Sequence, residues 1–291
     1  MIILRDKPGQ LCNRLWAYSF FIAYGLKNDV KVYIPNFKEY QSLFEDLEQF
    51  PKIRFQISKN KTFEKIIRLG VLTIYLFEKV KLGFLFRIFN VHFPSVDLLD
   101  DQFCKGKSVV YINSWKQEKN VDAIEKYKPE IIGLFTPKKV FRDRPDALIA
   151  DLRLRFDILV GVHIRRGDYS TFKGGIYYYD DKVYQKYMMH IKSQLADKKV
   201  AFFISSNSTI NSTEYKDLKV YQLENAEGIE DLYALSKCDY IMGPPSTFSM
   251  WASFSGSVPL KILESDDDNF TTDDFSVIRY QDCFENGNKY S

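Results

Sequence analysis

The sequence predicts an α/β fold built from two Rossmann-like domains, and three observations support this. Residues 2–34 have the pattern of a strand, a glycine-containing loop, a helix and a second strand. From residue 158 onward, short apolar strands alternate with helices. The length of 291 residues fits two domains of about 150 residues each. Because strands that alternate with helices form parallel sheets, we expect an N-terminal domain at 1–138 and a C-terminal domain at 139–291.

The N-terminal domain opens with a βαβ unit. Residues 2–4 predict a short strand, and Pro8-Gly9 indicates the turn that follows it. Residues 11–26 predict a helix, because apolar side chains recur at the spacing of one helix face. Three more elements are expected in this domain: strands at 30–34 and 109–112, and a helix at 121–135 that ends at Thr136-Pro137.

Residues 62–93 form a basic and apolar stretch with helical character. Lysines and arginines alternate there with Phe, Ile and Leu. One interpretation is a pair of amphipathic helices packed on the first domain. The other is a surface that rests on an anionic membrane leaflet, because basic amphipathic helices gain from both burial and charge. No window is long and apolar enough to span a bilayer, so the alternative is a peripheral contact at the inner membrane face.

The C-terminal domain has the pattern of a doubly wound parallel sheet, since its strands are short, apolar and interleaved with helices. Strands are expected at 158–164, 200–204, 218–221, 240–242 and 258–262, and helices at 181–195, at 229–237 and from Ser246 onward.

Composition excludes several classes of protein. A net charge of +3 is too small to indicate nucleic-acid binding. The four cysteines are far apart in the sequence and no secretory signal opens the chain, so we expect a reduced, cytoplasmic protein. Neither a P-loop nor a GxGxxG motif is present, and three histidines leave little for a Ser-His-Asp triad. The acidic run 266–268 is expected to be a solvated loop rather than a Mg²⁺ site, so no metal or cofactor is predicted.

The first strand of the C-terminal domain leads into an arginine pair that predicts a phosphate site. Strand alternation places His163 and Arg165 on one face and Arg166 on the other. Ligands of open α/β sheets bind at the carboxyl ends of the strands. We therefore expect Arg165 to contact an anionic ligand while Arg166 braces the loop.

A second anion-binding element follows the strand at 240–242. Pro244-Pro245 ends that strand, and Ser246 is a natural N-cap for an apolar helix that begins with Thr247, Phe248 and Ser249. Free amides and hydroxyls at a helix start favour phosphate binding, although Ser246 could also be a structural cap alone. Together with Arg165, they predict a pyrophosphate clamp.

Several segments resemble one known family. His163 to Tyr169, with the sequence HIRRGDY, is similar to the HxRRGDY signature of bacterial α-1,2-fucosyltransferases, whose superfamily includes α-1,6- and protein O-fucosyltransferases. Three further segments resemble the family in the same order along the chain: 9–15, 111–135, and 231–251. The resemblance implies a GT-B fold, with two Rossmann-like domains facing each other across a cleft. It also implies GDP-L-fucose as donor, inversion at the anomeric carbon and no metal.

The resemblance also implies roles for individual residues. Arg165 would hold the β-phosphate, residues 246–249 and His163 would complete the donor site, and Asn13 would approach the transferred sugar. At 206–207 the chain has Ser-Asn where the family often has two aspartates, and Asn207 is expected to accept a hydrogen bond from guanine. Asp168 is the carboxylate nearest to the clamp in sequence. It is either the catalytic base or a turn-forming residue paired with Arg166.

The predicted function is transfer of L-fucose from GDP-L-fucose to a glycan hydroxyl, with the nucleotide sugar and the acceptor glycan as partners. The expected linkage is α-1,2 to galactose, in the synthesis of surface polysaccharide or glycolipid. The alternatives are α-1,6- or O-linked fucosyl transfer, a different nucleotide sugar, or a GDP-sugar sensor without catalysis.

Overall fold

The computed structural model describes residues 1–55, 69, 73, 76, 91–92, 109–115, 121–210, 212–267 and 269–284. The chain divides into two compact units, residues 1–136 and residues 137–291. Each unit contains its own five-stranded parallel sheet. The predicted α/β architecture with parallel strands is therefore present in both halves of the chain.

The first unit is built around strand β1. Its elements are β1 (Ile2–Leu4), α1 (Leu11–Lys27), β2 (Val32–Tyr33), β3 (Ile53–Arg54), β4 (Val91–His92), β5 (Val109–Ile112), α2 (Val121–Lys126) and α3 (Lys128–Leu134). The strand order is β3-β2-β1-β5-β4. The helix expected at 121–135 is thus two shorter helices. Residue 92, which belongs to the stretch 62–93 where we expected helical character, lies in a strand.

The core of the first unit is dominated by aromatic side chains. Helix α1 is buried along most of its length because it packs directly on the sheet. At Gly25 a Cβ would lie 2.7 Å from a methyl group of Val32, so the helix and the strand approach too closely for a side chain there. Beyond α1, the Phe37 ring contacts the rings of Phe44, Phe55 and Phe135. These contacts fix the loops that follow β2 and β3.

The second unit also contains a five-stranded parallel sheet with helices, and its two longest strands have seven residues each. Its elements are α4 (Lys139–Arg155), β6 (Ile158–Ile164), α5 (Asp181–Gln194), β7 (Val200–Ser206), β8 (Val220–Tyr221), α6 (Gly228–Leu235), β9 (Tyr240–Gly243), α7 (Thr247–Gly256), β10 (Leu260–Ile262) and α8 (Tyr280–Phe284). The strand order is β10-β9-β6-β7-β8.

Strand β6 is the centre of this second sheet, and its neighbours define where a ligand can bind. It pairs with β7 along its whole length and with β9 from Val160 to Val162. The chain runs from β6 outward to β7 and β8 on one side, and then returns to β9 and β10 on the other. Such a reversal of strand order opens a crevice at the carboxyl ends of the two strands that flank it. Here those strands are β6 and β9.

Helix α4 is the main element that the sequence did not predict. Pro145 lies inside it, and a proline in a helix interior removes a backbone hydrogen bond. The helix forms because its apolar face is buried: Ile149 and Leu152 pack against Leu159 and Ala201 of the sheet. Tertiary packing therefore outweighs the local cost of the proline.

The stretch 62–93, where we expected basic amphipathic helices or a membrane contact, lies outside the described residues except at 69, 73, 76, 91 and 92. Among the residues that the structure describes, no helix is long and apolar enough to cross a bilayer.

Candidate functional site

Two loops meet at the carboxyl edge of the second sheet, one after β6 and one after β9. Their close approach needs Gly243, because a Cβ at this position would lie 2.6 Å from the carbonyl oxygen of His163. The phenol of Tyr169, in the first loop, donates a hydrogen bond to the carbonyl oxygen of Pro245 in the second. The two segments that the sequence assigned to a clamp therefore lie side by side, at the crevice between β6 and β9.

Arg165 is held in a bidentate ion pair with Asp168. Its Nε and Nη2 atoms each lie 3.0 Å from a carboxylate oxygen of Asp168. The guanidinium also lies over the Tyr169 ring, 5.5 Å from the ring centroid. The side chain of Arg165 is 20% exposed and that of Asp168 is 62% exposed, so the pair is accessible to a ligand. Asp168 thus pairs with Arg165 and not with Arg166, the partner that we considered.

Arg166 braces the loop from the opposite face of the strand. Its guanidinium lies 2.8 Å from a carboxylate oxygen of Asp181, which also accepts a 2.7 Å hydrogen bond from Tyr215. Its backbone N–H donates to Oδ1 of Asn207 at 2.8 Å. These bonds link β6 to α5 and to the loop after β7. Asn207 is exposed, and one lone pair of its amide oxygen is committed to this contact.

The N-terminus of α7 forms the other side of the crevice. Ser246 caps the helix, with its Oγ accepting from the N–H of Phe248 at 3.2 Å. The hydroxyl of Ser249 donates to the carbonyl oxygen of Ser246 at 3.2 Å. Ser246 and Ser249 are buried, whereas Thr247 and Phe248 are half-buried and border the surface. The positive end of this ten-residue helix favours an anion at this place.

His163 is buried beside this helix start and carries an unpaired nitrogen. Its ring centroid lies 5.0 Å from that of Phe248. Burial, and secondarily the charge of Arg165, lowers the pKa of His163 to about 3, so the ring is neutral at physiological pH. Within the described residues its Nδ1 has no hydrogen-bond partner. Since an unpaired buried polar atom is costly, Nδ1 of His163 is available to form a hydrogen bond with a bound ligand.

Asp231 is a half-buried carboxyl group near the end of β7 to which the sequence analysis assigned no role. It lies in the first turn of α6 and accepts a 3.0 Å hydrogen bond from the hydroxyl of Ser205. Ser205 is paired in register with His163 on the neighbouring strand. Burial raises the pKa of Asp231 to about 6, although the Ser205 hydrogen bond opposes that shift. The signal was in the sequence, because Asp231 opens one of the segments that resemble the family, but no role was assigned to it.

The remaining predicted residues lie elsewhere. Asn13 belongs to the first unit, in the first turn of α1, where the loop at Gly9 packs against its side chain. In the acidic run, Asp267 forms an ion pair with Lys186, and residue 268 lies outside the described part. Across the described ranges, no three acidic, histidine or cysteine side chains come together as metal ligands.

The part of the chain that contains the crevice matches a known protein family. Residues 144–282 match the model of glycosyl transferase family 11. The matched range contains β6 to β10 and both loops of the crevice. No protein of curated function matches the chain.

Solved structures extend the comparison to both units. A mutant of Arabidopsis thaliana FUT1 in complex with GDP is 14% identical, with a TM-score of 0.55 over 94% of this chain and 73% of that one. The fucosyltransferase NodZ from Bradyrhizobium is 16% identical, with a TM-score of 0.53 over 92% and 96% of the two chains. POFUT1 in complex with GDP is 12% identical, with a TM-score of 0.54 over 90% and 98%. A further NodZ structure that resembles this chain is described as an α-1,6-fucosyltransferase, and its crystal was soaked with GDP-fucose.

These likenesses confirm the predicted fold class, α/β of the GT-B type. The family match covers residues 144–282 alone and supports a glycosyltransferase-like second unit, without specifying a sugar or a linkage.

Proposed function

We propose that the protein is an inverting, metal-independent fucosyltransferase that moves L-fucose from GDP-L-fucose to a glycan hydroxyl, forming an α-1,2 linkage to galactose. The observation that carries this proposal is the crevice itself. Arg165 and the N-terminus of α7 lie beside each other at the switch point of the sheet, joined by the Tyr169–Pro245 hydrogen bond. The family match over 144–282 and the fold shared with GDP-bound structures support the same donor.

The clamp fits the charge that develops during transfer. The bond between C1 of fucose and the β-phosphate oxygen breaks with its electron pair moving to the phosphate, so negative charge grows on the departing GDP. Arg165 and the amides and hydroxyls of residues 246–249 are fixed donors at that position. Because these groups neutralise the leaving group, the reaction needs no metal in this proposal.

Asp168 is the proposed base. In the ligand-free protein its carboxylate is neutralised by Arg165. When the β-phosphate engages Arg165, the guanidinium shares its donors with the phosphate, and the Asp168 carboxylate is released to accept a hydrogen bond from the acceptor hydroxyl. It can then accept the proton of the acceptor hydroxyl as that oxygen forms its bond to C1. Donor binding and base activation are thereby linked through one arginine.

His163, Asp231 and Phe248 form the proposed guanine site. An ionised, half-buried Asp231 offers the acceptor that the N1 and N2 hydrogens of guanine need, and Nδ1 of the neutral His163 can donate to the O6 and N7 edge of the base. The Phe248 ring offers an apolar face for the base. Asn207 remains a second proposed acceptor, through the lone pair that Arg166 leaves open.

The first unit is proposed to carry the acceptor side, with Asn13 approaching the transferred sugar. Asn13 lies next to the Gly9 loop, at the end of β1 where ligands of a parallel sheet bind.

The deciding experiment incubates the protein with GDP-L-fucose and a panel of β-galactosides. We expect GDP release that depends on the acceptor and a fucosylated product, with GDP-mannose and UDP-galactose as control donors that release far less nucleotide. Linkage analysis of the product then distinguishes α-1,2 from α-1,6 or O-linked transfer. GDP binding without any product would overturn the enzyme proposal and favour a sensor.

A further inference from the structure

The loop that follows the clamp carries a chain of aromatic rings. Tyr169, which lies under the Arg165 guanidinium, stacks on Phe172 with ring centroids 5.1 Å apart and planes tilted by 28°. Phe172 in turn contacts Tyr177, with centroids 6.5 Å apart. The aromatic surface therefore begins at the phosphate-binding arginine and continues away from it along the loop. Phe172 is half-buried, so part of its ring reaches the surface.

The same loop exposes apolar side chains next to these rings. Seven large hydrophobic side chains are exposed within the described part of the chain, and two of them belong to this loop. Ile176 is 58% exposed and Tyr178 is 45% exposed. Both follow Asp168 by ten residues or fewer. Exposed apolar surface beside a polar site is typical of a ligand-binding face.

One residue of the loop, Lys173, is held in an unfavourable backbone conformation. Lys173 has φ +48°, in the left-handed region that residues with a Cβ rarely adopt, and Gly174 and Gly175 follow with φ +73° and +81°. Such strain persists only where surrounding contacts hold it, and it concentrates at sites of function. Here the stacked rings and the Tyr169–Pro245 hydrogen bond supply those contacts. These contacts hold the loop in place next to the clamp.

We infer that residues 169–178 form the platform on which the acceptor sugar lies, with a neutral pyranose ring stacked on Phe172 and its hydroxyl directed toward Asp168. This inference rests on the proposed function, because the acceptor hydroxyl must reach the sugar that Arg165 holds through its phosphate. A pyranose presents a face of C–H groups, which packs well on the electron-rich face of an aromatic ring. The specificity for the acceptor is then set partly in the second unit.

The test compares ring-removing with ring-keeping substitutions at Phe172. Transfer from GDP-L-fucose is measured with the panel galactoside that turns over fastest in the parent protein. We expect Phe172→Leu to raise the KM for the galactoside about tenfold, the upper range of one aromatic contact, while Phe172→Tyr restores it to within twofold. The KM for GDP-L-fucose and the protection by GDP against thermal unfolding stay within twofold of the parent values.

Two further variants test an exposed ring of the platform and a control position away from it. Tyr178→Ala removes a ring that is 45% exposed, and we expect the KM of this variant for the acceptor to rise. Leu154→Ala removes an 87% exposed apolar side chain at the other end of the sheet, and all its kinetic constants should match the parent. An unchanged acceptor KM in both Phe172→Leu and Tyr178→Ala, or an equal rise in the KM for the donor, overturns the platform. If no galactoside is fucosylated by the parent protein, the proposed function fails and the platform fails with it.

Discussion

At the scale of single residues, the site depends on how a few charges are paired. Arg165 and Asp168 neutralise each other at the surface, and Asp231 is a carboxylate whose pKa is raised by burial. His163 stays neutral because the protein interior disfavours its charged form. Each of these states is a consequence of position, so each can be tested by a substitution that changes charge or geometry with little change in volume.

Arg165→Lys keeps the positive charge but loses the planar fork that bonds two oxygens at once. We expect turnover to fall by about 10²- to 10³-fold, the typical effect of losing one preorganised donor, while the protein still folds. Initial rates of GDP release and the thermal unfolding temperature measure the two effects. Arg153→Lys is the matched control, because Arg153 lies on α4, away from the crevice, and its guanidinium pairs with Asp239. Near-parental turnover in Arg165→Lys would exclude Arg165 as the phosphate clamp.

Asp168→Asn distinguishes a base from a turn-forming residue. Asparagine also favours turns, so a purely structural Asp168 would tolerate the change. If Asp168 is the base, turnover falls strongly, yet GDP binds more tightly because Arg165 has lost the carboxylate that neutralises it. Calorimetric titration with GDP and single-turnover kinetics measure both quantities. Retention of parental turnover would show that another group takes the proton.

The preference for GDP over ADP should depend on pH through Asp231. Its pKa is about 6, so the carboxylate accepts hydrogen bonds from guanine above that pH and is protonated below it. We expect the ratio of GDP affinity to ADP affinity to fall as the pH drops from 7 to 5. The diphosphate also titrates near pH 6, but that effect is common to both nucleotides and cancels in the ratio.

Asp231→Asn should lower that ratio at pH 7 and remove its dependence on pH. Asn207→Asp is the comparison, because a carboxylate there can still accept from the N–H of Arg166. If Asn207→Asp tightens GDP binding while Asp231→Asn leaves it unchanged, guanine is recognised by Asn207 instead.

At the scale of elements, the sequence predicted the strands and the N-cap of the site because these depend on local patterns. The apolar run of β6 and the Ser246 cap follow directly from residue type and spacing. Two features could not be predicted in this way. The hydrogen bond between Ser205 and Asp231 joins residues 26 positions apart in sequence. Helix α4 forms despite its internal proline because one face of the helix is buried on the sheet. Both depend on tertiary packing, which a single sequence does not display.

Gly243→Ala tests how closely β6 and β9 approach. A Cβ there would lie 2.6 Å from the His163 carbonyl oxygen and 3.0 Å from its Cβ, so the end of β9 must shift. We expect a loss of about 1–3 kcal/mol in the free energy of unfolding, as for other overpacked core positions, together with weaker protection by GDP. Gly228→Ala is the control, because nothing lies within 4 Å of a Cβ at that position. Equal stability of the two variants would show that the strand ends separate freely.

At the scale of the whole molecule, each unit has its own parallel sheet, and the proposed donor site is contained in the second. All the groups proposed to bind GDP lie between residues 163 and 249. The proposed role of Asn13 belongs to the first unit, so changes there should affect transfer of the sugar more than binding of the nucleotide.

Fucosyl transfer should persist in EDTA, since arginine and helix amides neutralise the leaving group in the proposed mechanism. Initial rates with and without the chelator, and after addition of Mg²⁺ or Mn²⁺, provide the measurement. If EDTA abolishes transfer and either ion restores it, the metal-free mechanism is overturned. The acidic run at 266–268 would then be the candidate metal site.

The ion pair between Arg165 and Asp168 also bears on discrimination among the small anions of a cell. Sulfate or inorganic phosphate must replace a carboxylate that already satisfies two donors of the guanidinium, and each gains little net energy by doing so. A nucleoside diphosphate also brings a base that can bond the unpaired Nδ1 of His163, and this added binding energy can offset the displacement. In the proposed enzyme, Asp168 therefore excludes abundant inorganic anions from the site while still admitting the sugar nucleotide.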